Sequence, residues 1–101
     1  MANRLDLQTK FEVILGSRNV YFQPPLSVKM KYPAIVYKLD DIRNIHAENE
    51  VYISKLRYLV TYITDDPDSK LITDISKIPY CRFNRYYTSD NLNHYTYELY
   101  F

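Results

Sequence analysis

The chain contains no tryptophan, one glycine and one cysteine among its 101 residues, and it has no long hydrophobic run. Average usage near 7% would supply about seven glycines; a single one, Gly16, excludes a glycine-rich phosphate loop. A single cysteine, Cys81, excludes an intrachain disulfide and a cysteine-based zinc cluster, and makes an intracellular origin the simpler reading. An excess of either charge is also missing. Thirteen Lys+Arg against twelve Asp+Glu give a net charge of +1, so no global field draws the chain to nucleic acid, a membrane or an acidic partner. The first residues alternate charged and apolar side chains, a pattern that fits neither a signal peptide nor a membrane span. A protein made and used in solution is expected. No internal repeat or low-complexity segment is found.

What the chain does contain is tyrosine. Twelve Tyr and four Phe stand in a sequence that is 47% apolar and 25% charged, enough apolar material for a core. Tyrosine suits half-buried strands and contact surfaces, because its ring buries area while the hydroxyl tolerates a polar neighbour. The length indicates one domain, 1–101.

Leu7, Phe11 and Ile14 or Leu15 recur at helical spacing and predict a helix over about 3–15, stopped at Gly16. Asn19 to Gln23 reads as a short strand or extended connector closed by Pro24-Pro25. Residues 34–39 are dense in strand formers. The segment 40–50 carries four carboxylates and forms either a loop or an extension of two strands into an arm. Val51 to Thr64 places Tyr52, Leu56, Tyr58, Val60 and Tyr62 on one face and Ile53, Arg57, Leu59, Thr61 and Ile63 on the other. Large side chains on both faces make it the central strand. Asp66-Pro67 predicts a helix entry, with Leu71, Ile72, Ile75 and Ile78 as the buried stripe of a helix over about 67–77. Residues 80–87 and 94–101 read as an antiparallel hairpin joined by a six-residue connection, with Tyr95, Tyr97, Leu99 and Phe101 on one face. The order α-(β)-β-β-α-β-β defines an α+β domain, a small mainly antiparallel sheet with two helices on one face.

Chemistry-bearing residues are sparse. His46, His94 and Cys81 are far apart and in no metal or catalytic spacing, and Cys81 reads as a buried, inert thiol. Asp65, Asp66 and Asp68 are explained by capping and the helix dipole, and they lack the glycine and terminal Glu of a calcium loop. Asp40 and Asp41, as neighbours on a strand, point to opposite faces and do not share a substrate. No cofactor, metal or catalytic set is expected. Arg82-Phe83-Asn84-Arg85-Tyr86 interleaves basic and aromatic residues as single-strand-binding sheets do, which keeps a small nucleic-acid-binding module as an alternative.

Taken together, Tyr21-Phe22-Gln23-Pro24-Pro25, Tyr32-Pro33-Ala34-Ile35-Val36-Tyr37, Asp65-Asp66-Pro67-Asp68-Ser69 and Thr88-Ser89-Asp90-Asn91-Leu92-Asn93-His94 carry a resemblance. Over nearly its whole length the chain resembles the tail-terminator, or head-tail joining, proteins of long-tailed phages. That resemblance implies a non-enzymatic virion protein, assembled in the host cytoplasm into a homo-hexameric ring on the last ring of the tail tube. The ring stops tube polymerisation and docks the head-completion protein. Phage DNA passes through its lumen without specific binding, and no membrane is involved. Another neck protein, a head-completion or adaptor subunit, is the related alternative. Within this reading, a hairpin arm around 38–54 is the candidate reach to a neighbour, and Asp40, Asp41, Glu48 and Glu50 are candidate lumen residues whose like charge repels DNA. A merely solvated loop is the competing account. Thr88, Ser89, Asp90, Asn91 and Asn93 form a candidate docking turn, long for a hairpin and rich in side chains that bond backbone groups. Local turn chemistry explains the same residues.

Overall fold

A computed structural model describes residues 4–24, 29–47 and 50–101, with 43–47 and 50–55 described by their backbone alone. The elements are α1 (Arg4–Leu15), β1 (Val20–Phe22), β2 (Ala34–Ala47), β3 (Glu50–Thr64), α2 (Leu71–Ser76), β4 (Cys81–Ser89) and β5 (Leu92–Tyr100). They build an α+β fold in which five strands lie in the order β1-β2-β3-β5-β4. Strand β1 is parallel to β2, and every other pairing is antiparallel. Strand β3 is central, as its two apolar faces require.

Period-two alternation decides which face the helices cover. Ile35 and Tyr37 on β2, Tyr58, Val60 and Tyr62 on β3, and Tyr95, Tyr97 and Leu99 on β5 form one buried cluster with Leu7 and Phe11 of α1 and with Ile75 and Ile78 from α2 and its exit. Both helices therefore pack on the same face. Removing Leu7 and Phe11 completely from water stabilises the fold by roughly 1.5–3 kcal/mol each. Helix α1 ends where Gly16 takes φ +75°, a backbone conformation that costs glycine nothing, and its N–H bonds to the Glu12 carbonyl at 2.9 Å.

Two elements differ from the sequence expectation, and a third is an alternative that it left open. Helix α2 begins at Leu71 rather than 67, and Lys70 supplies no side-chain cap. The Asp66 carboxylate instead accepts from the Asp68 N–H at 2.9 Å, a local turn that competes with the first helical turn. Ser69 Oγ then accepts from the Leu71 N–H at 3.3 Å and meets the Tyr62 hydroxyl at 2.7 Å. Second, of the loop and the strand extension left open for 40–50, the structure has the extension: β2 pairs with β3 to the end of both strands, Ala47 against Glu50. Third, the six-residue connection between β4 and β5 shrinks to two residues, because Ser89 pairs with Leu92 and Thr88 with Asn93.

The buried tyrosines keep their hydroxyls paired. The Tyr37 hydroxyl donates to Gln8 Oε1 and accepts from Arg4, tying β2 to α1, while the Tyr97 hydroxyl donates to the Ile72 carbonyl at 2.6 Å, tying β5 to α2. Replacing Tyr97 by Phe removes the second tie and leaves the ring in place. The expected cost is about 1 kcal/mol of unfolding free energy, read from the urea midpoint at unchanged slope.

Candidate functional site

Among the described residues no group of three or more His, Cys, Asp or Glu side chains stands close enough to hold a metal ion. No helix among them is long and apolar enough to cross a membrane. His94 is occupied in packing: its ring stacks on Tyr87 with centroids 4.7 Å apart, and Nδ1 lies 3.1 Å from the Leu92 carbonyl. The His46 side chain lies outside the described residues. Cys81 is half-buried at the start of β4, and burial pushes its thiol up to about 11, so it stays protonated and weakly nucleophilic near neutral pH.

Of the four expected lumen carboxylates, the structure describes two. Asp40 sits in a β-bulge, where the pairing with β3 steps from Leu39 to Asp41. The bulge turns both acids to Arg57 on the helix-free face: Asp40 Oδ2 lies 2.8 Å from Nη2 and accepts from Nε at 2.9 Å, and Asp41 lies 3.9 Å away. The expectation that neighbouring acids point to opposite faces is corrected by this extra residue. Arg57 is held above its ordinary value by a hydrogen bond to Tyr100 and by the Asp40 charge, against partial desolvation. Arg57 thus compensates Asp40, and the second acid, Asp41, leaves the cluster with a net negative charge. Glu48 lies outside the described residues, as does the Glu50 side chain.

The expected docking turn is corrected in its geometry. Thr88 and Ser89 belong to β4 and Asn93 to β5, leaving Asp90 and Asn91 as the whole turn. Their φ values of +54° and +65° are those of a type I′ turn, whose twist matches the flanking strands. Asn93 accepts from the Tyr86 hydroxyl at 2.8 Å. Asp and Asn tolerate positive φ, which is the signal in the sequence that a shorter turn was available.

The basic and aromatic run 82–86 does not form one platform, because alternation and a second bulge between Phe83 and Arg85 divide it. Arg82 and Arg85 lie on the helix-free face. Arg82 pairs with Glu98 at 2.9 Å, and the Arg85 guanidinium lies 4.9 Å from the Tyr87 ring centroid, continuing the Tyr87–His94 stack. Phe83 and Tyr86 lie on the helix side against Tyr97 and Tyr95, yet remain 46% and 51% exposed. At the other side of the sheet, Leu39 and Ile42 of β2 are 41% and 52% exposed. Leu39 and Ile42 were missed by sequence reasoning, since apolar residues within strands read as core, whereas Phe83 and Tyr86 stood out there only within the basic and aromatic run. Between the edges, Val36, Lys38, Leu59, Thr61 and Tyr87 line a shallow groove on the helix-free face.

No protein-family model, curated protein or solved structure matches this chain.

Two measurements follow from this geometry. Replacing Asn91 by Val forces a β-branched residue to positive φ and is expected to cost about 1–2 kcal/mol in thermal unfolding, whereas Asn91→Gly leaves stability within a few tenths. Burial also holds the Cys81 thiol and the Tyr37, Tyr58, Tyr95 and Tyr97 phenols above their ordinary values. These groups ionise more easily when unfolded, so their stabilising contribution is complete below the unfolded values and falls as pH rises towards the folded ones. For Cys81 that window runs from 9.0 to about 11. The unfolding midpoint should fall through this range, and Cys81→Ala should flatten the first part of the fall.

Proposed function

We propose that this chain is a structural subunit of the neck of a long-tailed phage, a tail terminator that forms a ring at the head-proximal end of the tail tube. The observation that carries this reading is the open outer edge of β4, a nine-residue strand with exposed Phe83 and Tyr86 beside it. Such an edge can template pairing with another chain, and on β4 it is guarded only by the bulge at Asn84 and the charges of Arg82 and Arg85. A contact between two different surfaces of one subunit generates a ring when its rotation closes. The resemblance of the chain to tail terminators supplies the place of that ring: it ends the tube, receives the head-completion protein, and lets DNA pass without specific binding. The β2–β3 hairpin is the arm that reaches the tube or a neighbouring subunit. Its repulsion of DNA rests on Asp41, Glu48 and Glu50, since the Asp40 charge is paired with Arg57.

The Arg85–Tyr87–His94 stack on an uncovered sheet face favours a second reading, a single-stranded nucleic-acid-binding module. Among the described residues Lys38 and Arg85 add positive charge around that groove, which suits weak and strongly salt-dependent binding.

An averaged electron-microscopy reconstruction of the phage neck tests the first reading. The expected result is a ring of this subunit between the last tube ring and the head connector; another chain filling that layer overturns it. Replacing residues 44–54 by Asn-Gly joins the paired Arg43 and Lys55 through a two-residue turn. That shortened chain is expected to fold and to leave tails unjoined to heads, counted in micrographs of the lysate.

A further inference from the structure

Backbone direction decides what the outer side of β4 can take. The Tyr80 carbonyl accepts from the Tyr100 N–H at 3.2 Å, and the N–H and carbonyl of Arg85 are both engaged with Thr96 Oγ1, at 3.1 and 3.0 Å. Tyr80 and Arg85 therefore turn their backbone groups towards β5. Alternation from these two anchors, on either side of the bulge at Asn84, turns the N–H and carbonyl groups of Phe83, Tyr86 and Thr88 outward. The outward Cys81 N–H is held by the Ile78 carbonyl at 3.1 Å, whereas among the described residues nothing bonds to the outward groups of the other three. This edge lies four strand spacings, about 19 Å, from β1 and from the chain that leaves it.

The side chains add a second pattern to this row of free groups. Cys81, Phe83 and Tyr86 stand on the helix side, opposite Leu99, Tyr97 and Tyr95, while Arg82 and Arg85 stand on the helix-free side, opposite Glu98 and Thr96. Because the bulge absorbs Asn84, β5 meets these five positions with unbroken alternation, and a regular strand on the outer side meets them at the same spacing. Strand β5 gives Arg82 a carboxylate but sets only a threonine against Arg85. The Arg82 side chain stays 80% exposed in its pair with Glu98, and the Arg85 guanidinium rests on the Tyr87 ring, so both are open to a further carboxylate. Half-exposed Phe83 and Tyr86 offer apolar area on the other side. The outer neighbour selected by these side chains reads apolar, acidic, apolar, acidic, apolar. That order is the same in both chain directions, so a parallel and an antiparallel strand satisfy it equally.

We propose that the outer edge of β4 docks an extended segment of another protein in which apolar and acidic residues alternate. The segment adds a sixth strand: its backbone bonds to the outward groups of Phe83 and Tyr86, its two carboxylates meet Arg82 and Arg85, and its apolar side chains cover Phe83 and Tyr86. A second copy of this chain is not the occupant, since no run of its 101 residues reads apolar, acidic, apolar, acidic, apolar, and β4 laid against β4 would crowd arginines of both copies together. The proposal rests on the reading of this edge as an assembly surface. It directs the edge to a neighbouring neck protein and leaves the contact between ring subunits to other surfaces.

The test titrates the purified full-length chain into a fluorescein-labelled peptide, KTVEVEVTK, and follows its anisotropy. Saturable binding is expected, at least about tenfold tighter than that of KTVKVKVTK, where the charges are reversed, and of KTVEEVVTK, where composition is kept and alternation is lost. Arg85→Glu is expected to weaken binding of the first peptide about fivefold or more; circular dichroism checks its fold, and if it unfolds the peptide comparison on the unaltered chain decides. Amide exchange followed by NMR is expected to slow at Phe83 and Tyr86 when the first peptide binds. Absence of binding, equal binding of KTVEVEVTK and KTVEEVVTK, or unchanged exchange at both amides overturns the proposal, and the arginines and bulge then only guard the edge. The neck reconstruction is read separately. Peptide binding alongside another chain in that layer supports the docking site and overturns the ring reading, and a ring of this subunit without peptide binding does the reverse.

Discussion

The fold depends on tyrosine rings that are buried while their hydroxyls stay paired. A buried phenol without a partner costs about 1–3 kcal/mol, which would cancel much of the gain from its ring. Tyr37 meets Gln8 and Arg4 of α1, Tyr62 meets Ser69 at the entry to α2, and Tyr97 meets the Ile72 carbonyl inside it. Each ring fills the core and each hydroxyl fixes where a helix lands. Among the described residues no buried side-chain nitrogen or oxygen lacks a partner. With no tryptophan and few leucines in the sheet, this pairing is what lets so polar an aromatic serve as the main filling residue.

Covering one face of the sheet leaves the other face and both edges to be managed by charge and shape. Ion pairs Arg57–Asp40 and Arg82–Glu98 and the Arg85–Tyr87–His94 stack cover the helix-free side. Exposed pairs of this kind contribute little stability, on the order of 0–1 kcal/mol. Their physical effect is to orient side chains and to keep the bare face from sticking indiscriminately. The bulges at Asp40 and Asn84 act alike, since a bent edge accepts few partners.

Much of the architecture was legible because it is written as periodicity. Tyr58, Val60 and Tyr62 against Leu59, Thr61 and Ile63 mark a strand apolar on both sides, and β3 is central; Gly16 marks the end of α1. The errors fall where local and tertiary preferences compete. Asp66-Pro67 has every sign of a helix start, yet the Asp66 carboxylate closes its own turn first. Thr88 to Asn93 is polar enough to read as a loop, yet cross-strand pairing extends the hairpin to the two residues that adopt positive φ. The edge surface was hidden for another reason: a bulge shifts alternation by one residue, and nothing in Leu39-Asp40-Asp41-Ile42 or Phe83-Asn84-Arg85-Tyr86 announces the extra residue. The candidate site was therefore legible in its residues and illegible in its geometry.

The strand order also has a kinetic meaning. Hairpins β2–β3 and β4–β5 each close through short-range contacts, but they meet only at the β3–β5 seam, where Arg57 to Thr64 pair with residues about thirty to forty positions later. Closing that longer loop costs entropy before the seam's contacts repay it, so hairpins form early and docking late. Until docking, the inner edge of β3 is as open as the outer edge of β4. A newly made chain thus carries, for a time, a second open edge on which any neighbour could pair, and the speed of closing the seam sets how long that aggregation hazard lasts.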